Sequence, residues 1–390
     1  MEEPLGFQAK TEQSRFRQAM AVHKDWVYLD HAAVAPLSLP AQKALADWAA
    51  QATASGDVHW LSWSQKVEAT RQSAARLLNV SPAEIALVPN TTTGLGIVAE
   101  GFPWKPGDNV ITFEHEFPSN RYPWMHLESR GVEVRTLSVK NGEVDLQQLS
   151  SAIDSHTRLI AVSWVGYSSG HRLDVAKLTE LAHRKNCLVA LDAIQGLGVF
   201  PLDLGAIPVD FLAADGHKWL LGPEGAGIFF IRQEHLSLLR PLHVGWNSVA
   251  RPYDFSQIDL TFRPTAARFE GGSQNMAGML ALGASLDLLL SLGTGPQHST
   301  VGELVLQNAG YLAEKAQSHG AKLRFPRSAE TASGIITLDL PGQDPQAVRD
   351  KLLAQKIVCS CRGGGLRFSP HGYNTHEELD RVATTLGEFI

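Results

Sequence analysis

Three short runs in this 390-residue chain carry residue types that could act together on one ligand. "AADGHKWLLGPEGAGIFFIR" (213–232) sets Lys218 between His217 and Trp219, at an apolar junction where an ammonium is poorly solvated. A lysine held out of water loses its proton readily, and the neutral amine is a nucleophile. The blander reading keeps the stem on apolar surface and the ammonium in water. "VALDAIQG" ends an apolar run with Asp192, followed three residues later by Gln195. A carboxylate at such a strand end needs a partner, because burying it unpaired is costly. "ALVPNTTTGLG" places Asn90, Thr91 and Thr92 where an apolar strand gives way to a helix. Free N–H groups and hydroxyls at a helix start suit a phosphate, and equally serve as a plain Thr cap.

A phosphate seat, an acid for a ring nitrogen, a polar contact for a ring hydroxyl and an imine-forming lysine together describe pyridoxal 5′-phosphate. These residues need a scaffold that gathers strand ends. Short apolar runs at 109–114, 132–139, 158–165, 187–193, 209–214 and 226–232 alternate with helix-length segments such as "DVAKLTELAHRKN". Several are apolar on both faces, as expected of strands covered by helices on each side. The alternation predicts an α/β domain with a mostly parallel sheet, whose ligands sit beyond the carboxyl ends of the strands. After about residue 260 the pattern changes to the apolar helix 276–293 and then a smaller α+β unit ending in a helix capped by "THEE". The expected division is an N-terminal arm over 1–20 packing on the small domain, a large domain over 21–260, and a small domain over 261–390.

The ordered motifs "NTTTGL … EFPSNRYPW … LDAIQ … DGHKWLLGPEGAG … RFEGGSQN … GLRFSPHGYNT" resemble the class V aminotransferase family of fold-type I pyridoxal phosphate enzymes. The resemblance runs from Tyr28 to Thr375 and implies a large domain with a mostly parallel seven-stranded sheet. It implies a Schiff base on Lys218, Asp192 at the pyridinium nitrogen, Gln195 near the ring hydroxyl, and Thr91 and Thr92 on the phosphate with His217 assisting. It also implies a homodimer in which Ser273 reaches the neighbouring active site, and an amino-acid substrate whose carboxylate is gripped by Arg367. The bland reading of Arg367 is a surface salt bridge. "HAAVAP", with His31, and Trp246 are expected to shape the substrate pocket.

Three positions depart from the cysteine desulfurase pattern. Phe117 stands where those enzymes stack a histidine on the ring, Tyr167 where they carry an asparagine, and Asp215 where a serine helps hold phosphate. An aromatic ring still stacks but cannot shuttle a proton. The loop bearing a nucleophilic cysteine is also missing, because "IVCSCRGGGLRFSPH" passes almost directly from strand to Arg367. The pattern is closer to the isopenicillin N epimerase branch. An aminotransferase or epimerase type is therefore expected, with a cysteine desulfurase or selenocysteine lyase as the alternative.

Composition narrows the remaining classes. With 44% apolar and 19% charged residues and a net charge of −6, the chain shows no basic footprint for nucleic acid or membrane. Its N-terminus lacks a signal-like apolar core, and Cys187, Cys359 and Cys361 are too few for a disulfide framework, so a cytoplasmic setting is expected. "CSC" has no neighbouring His or Cys cluster, and no metal site is expected. A nucleotide-dependent oxidoreductase is disfavoured because "GLG" at 196–198 lacks the spacing of G-x-G-x-x-G. A non-catalytic sensor role is disfavoured by the absence of an appended basic module.

Overall fold

The computed structural model describes residues 7–390, with side chains from residue 11. Its strands are β1 (Val27–Tyr28), β2 (Ile85–Val88), β3 (Asn109–Phe113), β4 (Glu133–Leu137), β5 (Thr157–Ser163), β6 (Leu188–Asp192), β7 (Phe211–Asp215) and β8 (Gly227–Ile231). They are followed by β9 (Lys322–Leu323), β10 (Ile336–Asp339), β11 (Ile357–Val358), β12 (Ser360–Arg362) and β13 (Gly365–Phe368). The large sheet has the order β2-β8-β7-β6-β5-β3-β4. Only β8 runs against its neighbours.

The doubly apolar runs explain this architecture. Along β5, Ile160 and Val162 enter one core layer while Leu159 and Ala161 enter the other. The same alternation splits Val189 and Leu191 from Ala190 in β6. Both faces are covered, so every strand from β5 to β8 can be apolar throughout. One covering layer holds the helices Leu39–Ser55, Trp60–Leu78 and Met276–Ser291, the last packed on the other two. Its Leu282, Leu286 and Leu289 lie in the same core layer as Val162 and Leu191.

Because β2, β3, β5, β6 and β7 point the same way, their carboxyl ends meet along one edge of the sheet. From that edge emerge Asn90–Thr92, Glu116–Phe117, Tyr167, Asp192–Gln195 and Asp215–Lys218. The helix Thr91–Gly101 begins where Asn90 Oδ1 accepts the Thr93 N–H at 2.8 Å. Gly94 lets that helix lie against β7, since a Cβ there would stand 2.6 Å from the Ala213 Cβ.

The C-terminal part forms an antiparallel sheet, β12-β13-β10-β9, beside the parallel pair β1-β11. Helices Thr300–Ser318, Pro345–Ala354 and His376–Gly387 close its core around Leu338, Leu352, Phe368 and Leu379. Thr375 and Glu378 form the expected capping box. The chain changes sheets at Cys359, which leaves that thiol buried and Cys361 half-buried. In the arm, residues 1–6 lie outside the described residues, and helix Phe7–Gln18 follows. Gln13 donates to the Asn374 carbonyl at 2.8 Å and Arg17 pairs with Glu378 at 2.7 Å.

The close helix–strand approach gives a direct test. Gly94→Val forces two packed backbones apart, and overpacking of this kind costs about 1–3 kcal/mol. A urea denaturation midpoint should fall accordingly, whereas Gly96→Ala, with open space at its Cβ position, should leave it near wild type.

Candidate active site

The strand ends enclose a cavity of about 270 Å³ lined by Thr91, Thr92, Phe117, Tyr167, Asp192, Gln195, Asp215, His217, Lys218 and Arg367. Ten of the twelve residues read from the sequence as site residues are thus brought together. Lys218 is buried, and desolvation pulls its pKa from 10.5 down to about 8, against the opposing pull of Asp192. Asp192 is fully buried, and the same effect pushes its carboxyl up to about 6, opposed by the Ile194 N–H and the charge of Lys218. The Ile194 N–H reaches Asp192 Oδ1 at 3.1 Å. Lys218 and Asp192 form no ion pair among the described residues, yet each feels the other's charge across the cavity.

At the helix start, the first-turn amides at Thr91 and Thr92 have no partner within the helix. Thr91 Oγ accepts the Asp215 N–H at 2.9 Å, which leaves its own proton free to donate. Thr92 Oγ donates to Ser119 Oγ at 2.8 Å. His217 Nδ1 stands 2.9 Å from the Asp215 carboxylate at the same corner, without a hydrogen bond between them. Gln195 is tied at both ends: its Nε2 donates to the Ala32 carbonyl, and its Oε1 accepts the Trp219 indole N–H, each at 2.9 Å. The Phe117 ring lies 5.5 Å from Lys218 Nζ and meets Tyr167 edge-on at 5.4 Å.

Arg367 is no surface salt bridge. It is 2% exposed, donates to the Tyr167 carbonyl at 2.8 Å and to Asp30 Oδ1 at 3.1 Å, and its buried Nε has no hydrogen-bond partner. A buried guanidinium with an unused donor on a cavity wall suits a carboxylate. The donor set as a whole fits pyridoxal phosphate: N–H and O–H donors at a helix start, a buried acid without an ion-pair partner, and a depressed-pKa amine all line one cavity.

Two of the twelve stand elsewhere, and so does Trp246, which was expected at the substrate pocket. His31 is fully enclosed, with Nδ1 2.9 Å from the Ser369 carbonyl and Nε2 2.8 Å from the Tyr373 hydroxyl. Burial lowers its pKa to about 4, and the following Ala32–Val34 line the cavity in its place. Ser273 is exposed and lines a different cavity of about 210 Å³ with Trp246 and Tyr253.

Sequence reading passed over Asp30, Glu116, Ser119 and Arg362. Glu116 is fully buried; Asn120 Nδ2 and the Ser163 N–H donate to it at 2.8 Å each, and the Ser163 hydroxyl donates as well. Burial, aided by the nearby Asp192, raises its pKa to about 7. Its position directly before Phe117 was the available signal. The thiols sit apart from this chemistry: burial pushes Cys359 well above its usual value and raises Cys361, and neither lines the cavity.

A family model described as Aminotransferase class-V matches residues 27–382. A probable cysteine desulfurase from Methanothermobacter thermautotrophicus is 29% identical, over 95% of this chain and 96% of its own length. An isopenicillin N epimerase from Streptomyces clavuligerus is 29% identical over 81% of this chain and 82% of its own. The apo cysteine desulfurase of Thermococcus onnurineus NA1 has the same fold, with a TM-score of 0.87 at 23% identity, covering 97% of this chain and 98% of that one.

The buried ammonium predicts a stability penalty. Lys218 binds its proton less tightly when folded, so stability rises with pH between about 8 and 10.5 and the full penalty applies below 8. Lys218→Met should stabilise the cofactor-free protein at pH 7 by about 3 kcal/mol, since one pKa unit is worth about 1.4. Denaturant curves at pH 7 and pH 10 test this; a gain that does not shrink at the higher pH contradicts it.

Proposed function

The chain belongs to the class V aminotransferase family and has the fold-type I architecture of pyridoxal 5′-phosphate enzymes, and from that premise we propose that Lys218 holds the cofactor aldehyde. The observation that carries this reading is the pair of buried groups facing one cavity, an amine shifted down and a carboxylate shifted up. When bound, the cofactor supplies an electron sink for a bond broken at the α-carbon of an amino acid.

The residues divide the remaining work. Asp192 would hold the ring nitrogen and keep it cationic, because an ionised carboxylate buried there needs a positive partner. Thr91, Thr92 and the first-turn amides hold the phosphate at the positive end of their helix, with His217 and Asp215 at the same corner. Phe117 would hold the cofactor ring by stacking, and Gln195, itself locked by Trp219 and Ala32, would supply a polar contact to it. Arg367 grips the substrate carboxylate while Asp30 and Tyr167 hold its fork. Lys218, whose amine burial pulls down to about 8, would be the group placed to move a proton at the substrate α-carbon near neutral pH.

The cysteine chemistry supports an aminotransferase or epimerase type. A persulfide-forming cysteine needs an accessible thiolate. Here β12 passes to β13 through Gly363 and Gly364 alone, so no loop carries a cysteine over the cavity. The second reading, a lyase acting on a sulfur amino acid, draws support from the relatives named cysteine desulfurase. Ser273, exposed and away from its own chain's cavity, supports a homodimer in which it approaches the neighbouring site. The three free cysteines accord with a reducing, cytoplasmic setting.

Purified protein should show a visible absorption band that borohydride bleaches and Lys218→Ala lacks. On the lead reading, amino acids exchange their α-proton for solvent deuterium without sulfide release from cysteine. Sulfide release abolished in Cys361→Ala would establish a desulfurase instead.

A further inference from the structure

The hairpin that carries Arg367 brings a second guanidinium to the same wall. In the β12–β13 pair, Ser360 faces Arg367 and Arg362 faces Gly365. Residues directly opposed, and those two apart along a strand, share one face of a sheet. Ser360, Arg362, Gly365 and Arg367 therefore stand on one side of the hairpin. That side is the cavity: Ser360 and Arg367 both bond Asp30 Oδ1 there, and Arg362 and Arg367 both line the space in front of Lys218. Gly365 adds no side chain between the two arginines.

The two arginines differ in what already satisfies them. Arg367 is buried and partly neutralised by Asp30. Arg362 is exposed at the cavity mouth, donates from Nη1 to the neighbouring Cys361 carbonyl at 2.8 Å, and has no carboxylate within ion-pair distance among the described residues. Its backbone is not a loose loop. Gly363 and Gly364 both adopt left-handed conformations, with φ of 58° and 84°, giving the tight two-residue turn that matches strand twist. The turn abuts Ser168, since a Cβ on Gly363 would meet the Ser168 Cβ at 3.0 Å. The unpaired charge is thus fixed at a strand end beside the arginine assigned to the α-carboxylate. Arg362 and Arg367 both line the cavity, and Asp30, which does not line it, bonds Arg367 from behind.

We propose that Arg362 receives a second carboxylate, on the side chain of the substrate, so that this enzyme acts on dicarboxylic amino acids. The inference rests on the reading of the site given above, with Arg367 on the α-carboxylate. Diagonal neighbours across an antiparallel pair stand about 7–8 Å apart, a spacing that two carboxylates on one short carbon chain can bridge. The planar fork of arginine gives this grip direction as well as charge.

The test uses the cofactor-loaded protein and the concentration dependence of its absorbance change with L-aspartate, L-glutamate and L-2-aminoadipate, each against a neutral counterpart: asparagine, glutamine and norleucine. Thermal stabilisation by the same ligands reads binding without turnover. Wild type should prefer at least one acid over its neutral counterpart by about 10–100-fold, the value of one charge-assisted hydrogen-bonded contact. Arg362→Gln should remove that preference by weakening the acid alone, and Arg362→Lys should retain part of it. A loaded wild type with no such preference, or an Arg362→Gln that weakens acid and neutral ligands equally, overturns this inference while leaving the role of Lys218 intact. A protein without the lysine-dependent band overturns both.

Discussion

Two ionisable groups kept out of water against one small cavity impose the main constraint on this molecule. Lys218 and Asp192 each lose hydration on folding, and each is shifted toward its neutral form. Neither satisfies the other by direct contact. The folded chain therefore holds an electrostatic deficit that a ligand with an aldehyde and a basic ring nitrogen relieves. Binding energy at such a site comes partly from ending that deficit, because a buried charge gains most from a partner where the local dielectric is low.

The rest of the fold serves to hold this arrangement still. A sheet apolar on both faces fixes the five strand ends, and its two core layers leave no freedom for register slip. Behind the cavity, Glu116 links the chain before Phe117 to Ser163, whose strand neighbour in register is Asp192. Burial and the nearby charge of Asp192 hold the Glu116 carboxyl up at about 7, so Glu116 is neutral in slightly acidic conditions. The Gln195–Trp219 bond and the Arg367–Asp30 pair act in the same way on the flanking walls.

Much of this was legible in the sequence because local rules and tertiary needs agree there. The run "RLIAVSWV" reads as a buried strand and is one, and "DVAKLTELAHRKN" forms the helix Val175–Arg184 capped by Asp174. The order of Thr91, Asp192 and Lys218 at three strand ends points to one cavity, and all three line it. What could not be read depends on long-range partners. Whether the side chain of His31 turns toward the cavity or beneath it is decided by Tyr373 and Ser369, more than 330 residues away. Glu116 looks like one more surface acid until Ser163 and Asn120 enclose it. Arg362 gains meaning only from the β12–β13 register, which one residue of slip would reverse. The patterning change near residue 260 carries no information about helix Met276–Ser291, whose buried leucines lie in the core beside the large sheet.

The central claim is that Asp192 keeps the cofactor ring cationic in a cavity that would otherwise favour neutral groups. Loading the protein with cofactor labelled with nitrogen-15 in the ring, and recording its chemical shift from pH 6 to pH 9, tests this most directly. The account predicts a protonated nitrogen throughout that range in wild type and an unprotonated one in Asp192→Ala. An unprotonated nitrogen in wild type, or a proton that survives loss of the carboxylate, would contradict it.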